Sequence, residues 1–451
     1  MRYIDKDLES IQELRNMLQN AQTSFVQLNE LNQVELDLYS GRFIKAVCND
    51  LSGLVSQYVE ATNYGNTEDE FQLCSEFLQR FKETIQKETF VGMVEGDAND
   101  KFIEIGVPIG TVVVLLPTHP SFTLLVNLIL LAVKSGNTFV FIANNKNKPE
   151  VLKMFRLLVD YIETTEYPKG CLLFVESVTD ESIKELFVNS EVSLIINIDS
   201  PQYVNKKFRT NTPLIYGGGT SIPVFIDHTA EIEKAVEDVI HSRSFDNGIL
   251  PGSEQFLVTE EAITDRIKAL MESHGAYIMS SNDEKKLINF LTLSEKNIVD
   301  NYIGKSATWI AESSDIDVPK TTRLLVSVQN YMTDDNFFNR KLSCPILAIY
   351  MEPDWILACK KCMSILNELH LGHTLTIHSR DGEVIKEFAI QKAVGRMVVN
   401  APTSCGATGI TANFPPSLIL GGGTTGRGNS VSNITPRELT YIRRVGFSLK
   451  D

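Results

Sequence analysis

The sequence predicts an α/β protein with a doubly wound parallel sheet followed by a second α/β domain. Two observations lead to this fold class. Apolar, β-branched runs alternate with helical patterns between residues 111 and 198, which is typical of parallel strands joined by crossover helices. The chain has 451 residues, which is too long for a single hydrophobic core, so two or three domains are expected.

The N-terminal segment reads as helical. Residues 5 to 87 place apolar side chains at helical spacing, as at Leu8, Ile11 and Leu14, which predicts three or four helices. The pattern then changes at residues 89 to 105 to two apolar runs separated by a polar turn. That change predicts a β-hairpin.

The first parallel strand is expected at residues 111 to 116, because this run is apolar and β-branched throughout. Prolines end the strand, and Ser121 is a suitable cap for the helix that follows. The same unit then repeats. Further strands are predicted at 138–143, 171–176 and 192–198, with helices at 148–163 and 180–189.

A run of three glycines at residues 217 to 219 precedes an apolar strand at 222–226, which marks the passage to the second α/β domain. Residues 401 to 428 are rich in loop-forming residues, and the tail is expected to supply a strand that pairs with the hairpin. Within the second domain, helices are predicted at 262–273 and 281–293, and a strand at 346–350.

Composition excludes several classes of protein. Hydrophobic residues make up 43% and charged residues 22% of the chain, as in ordinary globular proteins. The formal charge of −15 opposes nucleic-acid binding. The longest apolar run, residues 122 to 133, is too short to span a membrane. The first residues lack a signal-type apolar segment, so a cytoplasmic location is expected.

Seven cysteines are too sparse and scattered for a disulfide framework, which indicates a reduced compartment. Cys359 and Cys362 form a Cys-x-x-Cys pair inside an amphipathic helical pattern. No second pair of cysteines or histidines stands at zinc spacing. The sequence therefore predicts no metal.

The run from Ser244 to Gln255 reads Ser-Phe-Asp-Asn-Gly-Ile-Leu-Pro-Gly-Ser-Glu-Gln. It resembles the nucleophile loop of CoA-acylating aldehyde dehydrogenases, as found in the aldehyde half of bifunctional aldehyde-alcohol dehydrogenases. Further blocks in the same order are similar to that branch, so the resemblance covers essentially the whole chain. These blocks are 107–110, 223–227, 274–277, 372–374 and 428–432.

The resemblance implies the aldehyde dehydrogenase fold and its oligomerisation through the hairpin, as a homodimer or homotetramer. It also implies a reaction in which an aldehyde adds to a cysteine, hydride passes to NAD, and CoA takes the acyl group. The implied domains are a Rossmann-like cofactor-binding domain (1–87 and 105–215), a catalytic-type domain (216–433), and an oligomerisation hairpin and tail (88–104 and 434–451).

Two catalytic positions differ from the family pattern. Pro251 stands where the family has its nucleophilic cysteine, and proline supplies neither a nucleophile nor a backbone N–H. Ungapped matching places Pro120 where the family has an asparagine whose amide holds the oxyanion. The resemblance therefore implies lost or strongly altered catalysis.

Two cofactor positions also differ. Asp199 and Ser200 replace the start of a glycine-rich turn that approaches the dinucleotide phosphates. Lys341 aligns with a glutamate that holds the ribose hydroxyls, and a cation cannot accept those hydrogen bonds. NAD binding is therefore expected to be weak or lost. The remaining cofactor positions implied by the family are Thr118, Asn144, Lys146, Gly217 and Gly218.

Three hypotheses follow for function. The chain is a CoA- and NAD-dependent oxidoreductase of altered activity, or a non-catalytic partner of a related active subunit, or an active enzyme with a displaced nucleophile. For the last, Cys405 and Cys344 lie in loops that the family places near the substrate, and His373 is a candidate base.

Overall fold

Three α-helices open the chain, each after a capping side chain. Asp5, Asn32 and Asn66 accept hydrogen bonds from the first backbone N–H groups of these helices, which satisfies donors that the helix leaves unpaired. The sequence prediction is confirmed here. The helices are α1 (Lys6–Leu28), α2 (Gln33–Thr62) and α3 (Thr67–Glu83). The computed structural model describes residues 5–95, 102–144, 146–204, 210–219, 222–296, 301–331, 336–368, 373–391, 394–423 and 428–448.

A three-stranded antiparallel sheet joins the hairpin to the C-terminal tail. Its strands are β1 (Gly92–Glu95), β2 (Phe102–Pro108) and β15 (Thr440–Gly446), with β2 in the centre. Both the hairpin and its pairing with the tail were predicted, and both are confirmed. The predicted polar turn between β1 and β2 falls on residues 96–101, which lie outside the described residues.

The first parallel sheet confirms the doubly wound pattern. It has five strands in the order β5-β4-β3-β6-β7, and every pair in it is parallel. Strand β7 (Leu214–Tyr216), at one edge of this sheet, was not predicted, because it is only three residues long. The strands are β3 (Thr111–Leu115), β4 (Thr138–Ile142), β5 (Leu172–Val175), β6 (Leu194–Asn197) and β7 (Leu214–Tyr216), with α4 (Phe122–Ser135), α5 (Pro149–Glu163) and α6 (Asp180–Val188).

Helix α4 is buried along its whole length, which explains why the longest apolar run of the sequence is a core element. Even Lys134 is fully buried, and its ammonium donates to the carboxylate of Asp37 and to the carbonyl of Gln86. Within the described residues, no helix combines the length and hydropathy needed to cross a membrane.

The second sheet has seven parallel strands in the order β10-β11-β12-β9-β8-β13-β14. Its strands are β8 (Ile222–Ile226), β9 (Glu254–Glu260), β10 (Ala276–Ile278), β11 (Leu324–Gln329), β12 (Ile346–Glu352), β13 (Thr374–His378) and β14 (Arg396–Val399). The helices that accompany it are α7 (Ile232–Ser244), α8 (Glu261–Ser273), α9 (Ser281–Glu295), α10 (Ala307–Ser313), α11 (Trp355–Glu368), α12 (Gly382–Gln391) and α13 (Thr403–Ala407).

A cleft opens where the two parallel sheets meet. The loops after β3 and β6 reach it from the first sheet, and the loops before β9 and β12 reach it from the second. The loops of the first sheet lie at the carboxyl ends of its strands, the usual place for ligands in α/β folds, whereas those of the second sheet precede their strands.

Candidate active site and cofactor cleft

The turn between α7 and β9 has an uncommon backbone. Asp246, Asn247 and Gly248 have positive φ angles of 47°, 51° and 75°, a region that Asp, Asn and Gly enter more readily than other residues. The Asn247 amide donates to the carbonyls of Gly65 at 3.0 Å and Gly304 at 2.9 Å. These bonds fix the turn against two neighbouring loops.

A cluster of carboxyl groups also fixes this turn through hydrogen bonds to backbone N–H groups. Asp246 Oδ1 accepts from the Asn66 N–H at 2.8 Å, and Asp69 Oδ2 accepts from the Asp246 N–H at 2.9 Å. The buried Glu70 carboxyl accepts from the Thr123 N–H at 2.6 Å and lies beside the buried Asp246 carboxyl. Burial raises the pKa of both Glu70 and Asp246. Two neighbouring buried carboxyl groups disfavour double ionisation, so we expect one of them to hold a proton.

Pro251 lies on the wall of a cavity between the two sheets, which we call the inner cavity. Its ring has no reactive atom and its nitrogen has no hydrogen. A Cβ at Gly219 on the facing segment would lie 3.5 Å from Pro251 Cα, so the wall is closely packed there. The position that the sequence identified as the nucleophile position thus faces a real cavity, but it offers that cavity no nucleophile.

His373 lies buried behind Pro251. Its Nε2 is 3.1 Å from the carbonyl oxygen of Gly218 and its Nδ1 is 2.6 Å from Oγ1 of Thr374. Nε2 must donate to the carbonyl, so Nδ1 accepts from the hydroxyl. Burial lowers the pKa of His373, although the Gly218 and Pro251 carbonyls oppose that shift. The ring is therefore neutral and both of its nitrogens are already engaged.

The structure places His119 on the cavity wall, and not Pro120. The Pro120 carbonyl accepts from the Tyr58 hydroxyl at 2.6 Å inside the core. The His119 ring meets the Tyr64 ring edge-on at 4.7 Å, and its Nε2 is 3.3 Å from Nδ2 of Asn301. Burial lowers the pKa of His119 to about 4. The neutral imidazole of His119 therefore faces the cleft, whereas matching to the family pattern had placed its neighbour Pro120 there.

Asp199 and Lys341 form an ion pair across the cleft, with Oδ2 and Nζ 2.5 Å apart. Asp199 follows the first sheet and Lys341 precedes a strand of the second. The pair packs on the glycine run between the domains, since a Cβ at Gly219 would lie 3.1 Å from Lys341 Nζ. The two altered cofactor positions therefore neutralise one another.

The turn after β6 is closed by the side chain of Asn197. Its Oδ1 accepts from the Ser200 N–H at 3.0 Å, and its Nδ2 donates to the Ser200 carbonyl at 3.0 Å. Gly217 extends the same arrangement, because its N–H donates to the Asn197 carbonyl at 3.0 Å. The residues after Ser200 form one 3-10 turn at Pro201–Val204. Over those four described residues no α-helix N-terminus is available to hold a phosphate.

An outer cavity continues the cleft and is lined in part by Thr118 and Lys146. Asn144 shapes its rim, since its Oδ1 accepts from the Lys146 N–H at 3.0 Å. The Lys148 ammonium donates to the Thr62 carbonyl and lies 4.7 Å from the centre of the Tyr64 ring. The inner and outer cavities share a wall made of His119, Asp199, Ile303, Lys341 and Ser343.

The two cysteines considered as displaced nucleophiles are both buried. Burial raises the pKa of Cys344 and of Cys405 to about 12, so both are protonated thiols at neutral pH. A thiol is a far weaker nucleophile than a thiolate. Neither residue lines the inner or the outer cavity.

Arg243 lines the inner cavity and was not selected from the sequence. It is fully buried and donates to the carbonyls of Ile346 at 2.9 Å and Leu342 at 2.5 Å, and to Ser253 Oγ at 3.2 Å. Burial lowers its pKa to about 10, so it stays cationic. The helix that carries it, α7, was not predicted, and no local signal separated Arg243 from the other charged residues.

Comparison with known proteins agrees with this fold. Residues 14–316 match the aldehyde dehydrogenase family. An aldehyde-alcohol dehydrogenase of Clostridium acetobutylicum is 31% identical over 362 residues, which cover 78% of this chain and 41% of that protein. The chain therefore spans about two fifths of such relatives.

Two further relatives match along nearly their whole length. An acetylating succinate-semialdehyde dehydrogenase of Clostridium kluyveri is 24% identical over 97% of this chain and 96% of that protein. An acetylating aldehyde dehydrogenase from Geobacillus thermoglucosidasius has a solved structure with a TM-score of 0.90 and 30% identity, covering 100% of this chain and 99% of that one. The chain belongs to the aldehyde dehydrogenase family, and its relatives include acylating aldehyde dehydrogenases.

Proposed function

We propose that this chain is a non-catalytic member of the acylating branch. It keeps the fold and the cleft but does not carry out CoA-dependent oxidation of aldehydes. The observation that carries the proposal is Pro251, which occupies the wall of the inner cavity where the family resemblance places the nucleophile. The buried, protonated thiols of Cys344 and Cys405 support it, because neither replaces the missing thiolate.

The cofactor cleft supports the same proposal. The ion pair between Asp199 and Lys341 joins the two walls of the cleft. Binding of NAD at the positions that the family uses requires this pair to open, and a carboxylate then faces the dinucleotide phosphates with like charge. We therefore infer weak NAD binding. CoA remains a candidate ligand of the outer cavity, where Lys146 and Lys148 supply positive charge.

The proposal is tested by measuring NADH formation with purified protein, acetaldehyde or propionaldehyde, and CoA. The natural protein should show no rate above the protein-free control. Pro251→Cys should give at most a trace, because the thiol returns without the cofactor site. Pro251→Ala is the matched control, since it restores the backbone N–H without a thiol. Robust CoA-dependent NADH formation by the natural protein contradicts the proposal, and alkylation with peptide mapping then identifies the reacting cysteine.

We also propose that the chain assembles with copies of itself through β15. This strand lies at the edge of the antiparallel sheet, and Tyr441, Ile442 and Phe447 expose 47%, 41% and 53% of their surface. An edge strand with exposed apolar side chains favours pairing with another chain. Light scattering should show a dimer or tetramer that Ile442→Lys weakens. A natural protein that is monomeric at micromolar concentration contradicts this assembly.

A further inference from the structure

Three potential metal ligands meet at the carboxyl edge of the seven-stranded sheet. Asp227 follows β8 directly, and Glu260 is the last residue of β9. Those two strands are parallel neighbours, with Ile226 paired to Thr259, so the residues that follow the pair also lie side by side. His228 comes next in the chain and turns back over both carboxylates. None of these three residues lines the cleft described above.

One imidazole nitrogen lies close to both carboxylates. His228 Nδ1 is 2.7 Å from Glu260 Oε2 and 2.9 Å from Asp227 Oδ1. A ring nitrogen has one proton or one lone pair, so it satisfies one of these oxygens at a time. Glu260 Oε2 takes that bond and also accepts from the His228 backbone N–H at 2.8 Å. Asp227 Oδ1 is left without a hydrogen bond.

The unpaired oxygen is held in place by its neighbours. The other oxygen of Asp227, Oδ2, accepts from the hydroxyls of Thr229 and, at 2.6 Å, of Ser379. These two bonds fix the orientation of the carboxylate, so Oδ1 must point into the cluster. The Asp227 side chain is 0% exposed. A buried acceptor of this kind normally has a hydrogen-bond partner or a bound cation, and here, among the described residues, its only close polar neighbour is the His228 Nδ1 atom that already bonds to Glu260.

We propose that Asp227, His228 and Glu260 form a binding site for a divalent transition metal ion, with Zn²⁺ as its preferred occupant. One imidazole nitrogen with two carboxylate oxygens is a ligand set that suits Zn²⁺, whereas Mg²⁺ and Ca²⁺ prefer oxygen ligands alone. The three atoms lie within 4.8 Å of one another. Tetrahedral Zn²⁺ holds such ligands about 3.3 Å apart, so small side-chain movements suffice.

The exposure of His228 and the hydrogen bonds to Asp227 both fit a metal site. The His228 side chain is 56% exposed, so the ion enters from solvent and keeps one side open to water. Thr229 and Ser379 act as outer partners that orient a ligating carboxylate, as is usual around protein metals. The ion would join the ends of two adjacent strands. The sequence did not indicate this site, because Glu260 is distant in the chain and only the sheet brings it to Asp227.

The test is calorimetric titration of chelator-treated protein with ZnCl₂, MnCl₂ and MgCl₂. We expect one Zn²⁺ per chain, weaker Mn²⁺ binding, and no Mg²⁺ binding. The titration uses a Cys48→Ser background, because Cys48 is an exposed thiol. Co²⁺ should give a spectrum without thiolate charge-transfer bands, which separates this site from any cysteine site.

His228→Ala and Glu260→Gln should each weaken Zn²⁺ binding by at least about tenfold. Glu260→Gln keeps the shape of the side chain and an acceptor for the His228 N–H. A loss of Zn²⁺ binding in this variant is therefore due to the lost carboxylate ligand and not to misfolding. His274→Ala is the matched control. It removes the histidine of another cluster, Glu233–Glu237–His274, that is more open to solvent. This variant should leave the affinity for Zn²⁺ unchanged. The proposal is wrong if the natural protein binds no Zn²⁺ or if neither His228→Ala nor Glu260→Gln weakens binding.

Discussion

The side chains of the turn at residues 246–248 and those of the cleft lined by Pro251 have different roles. In the turn, Asp246 and Asn247 have positive φ angles. Their side chains form hydrogen bonds with the backbone at residues 65–66 of the first domain and 304 of the second. In the cleft, Pro251 offers no reactive group, and Asp199 is paired with Lys341. The Phe-Asp-Asn-Gly run therefore makes structural contacts that do not depend on any chemistry in the cleft.

The largest expected effect comes from breaking the turn at Gly248. Its φ angle is 75°, and an added Cβ would lie 2.9 Å from the carbonyl carbon of Cys344. Gly248→Ala should therefore lower the free energy of unfolding by about 3 kcal/mol through backbone strain and overpacking. Urea denaturation followed by circular dichroism measures the change.

The control for that experiment is Gly53→Ala in α2, where an added Cβ meets no atom within 4 Å. It should raise stability by about 0.5–1 kcal/mol, because alanine is the better helix former. If Gly248→Ala were as stable as the natural protein, the turn would not be the structural element that we describe.

A smaller effect is expected from the raised pKa values of the neighbouring Glu70 and Asp246 carboxyl groups. The folded-state pKa of Asp246 is raised, first by burial and then by Glu70. Its contribution to stability is therefore complete below the unfolded-state pKa of about 4 and is lost as pH rises through the folded-state value, at up to about 1.4 kcal/mol per pH unit. Asp246→Asn cannot ionise and tolerates positive φ, so it should flatten this loss.

Melting temperatures between about pH 5 and pH 9 measure this dependence on the natural protein and the variant. Asp283→Asn is the control, because the pKa of Asp283 is lowered, first by its bond to Ser280. The stabilisation by Asp283 is present above its unfolded-state pKa and is lost as pH falls, so this variant should keep the natural slope at alkaline pH. An unchanged slope in Asp246→Asn would show that ionisation of Asp246 does not cause the loss of stability at alkaline pH.

The smallest effect is expected from the ion pair across the cleft. Asp199 and Lys341 are each about one-third exposed, and solvent screening limits such pairs to about 0.2–1 kcal/mol. A double-mutant cycle with Asp199→Asn and Lys341→Met should give a coupling energy in this range that falls at high salt. The Arg15–Glu185 pair at 2.8 Å is a matched control outside the cleft.

If NAD requires the cleft pair to open, Asp199→Asn should bind NAD more tightly than the natural protein does, because it breaks the pair and removes the carboxylate that repels the phosphates. Calorimetry measures this directly. Equal affinity in the two proteins would mean that the ion pair does not stand in the way of the cofactor, and the contrast between the turn and the cleft would then rest on Pro251 alone.

Periodicity and β-branched runs in the sequence determined the helices of residues 5–87, the strands of both parallel sheets that it predicted, and the hairpin. These features depend on local alternation of apolar and polar side chains, which is visible along the chain. Strands β7, β10, β11, β13 and β14 were not predicted. Strands β7 and β10 have only three residues, which are too few for a period to appear. The loop at 244–255 was also found in the sequence, since its Phe-Asp-Asn-Gly run is distinctive.

Only the tertiary structure decided which side chains face one another. Sequence matching selected Pro120, but the chain bends at residues 118 and 119 and turns His119 to the cavity. Asp199 and Lys341 appeared in the sequence as two separate obstacles to a cofactor, and the fold joins them into one ion pair. Asp227 and Glu260 meet only through strand register. Local pattern determines an element, whereas a site depends on distances between elements that are remote in sequence.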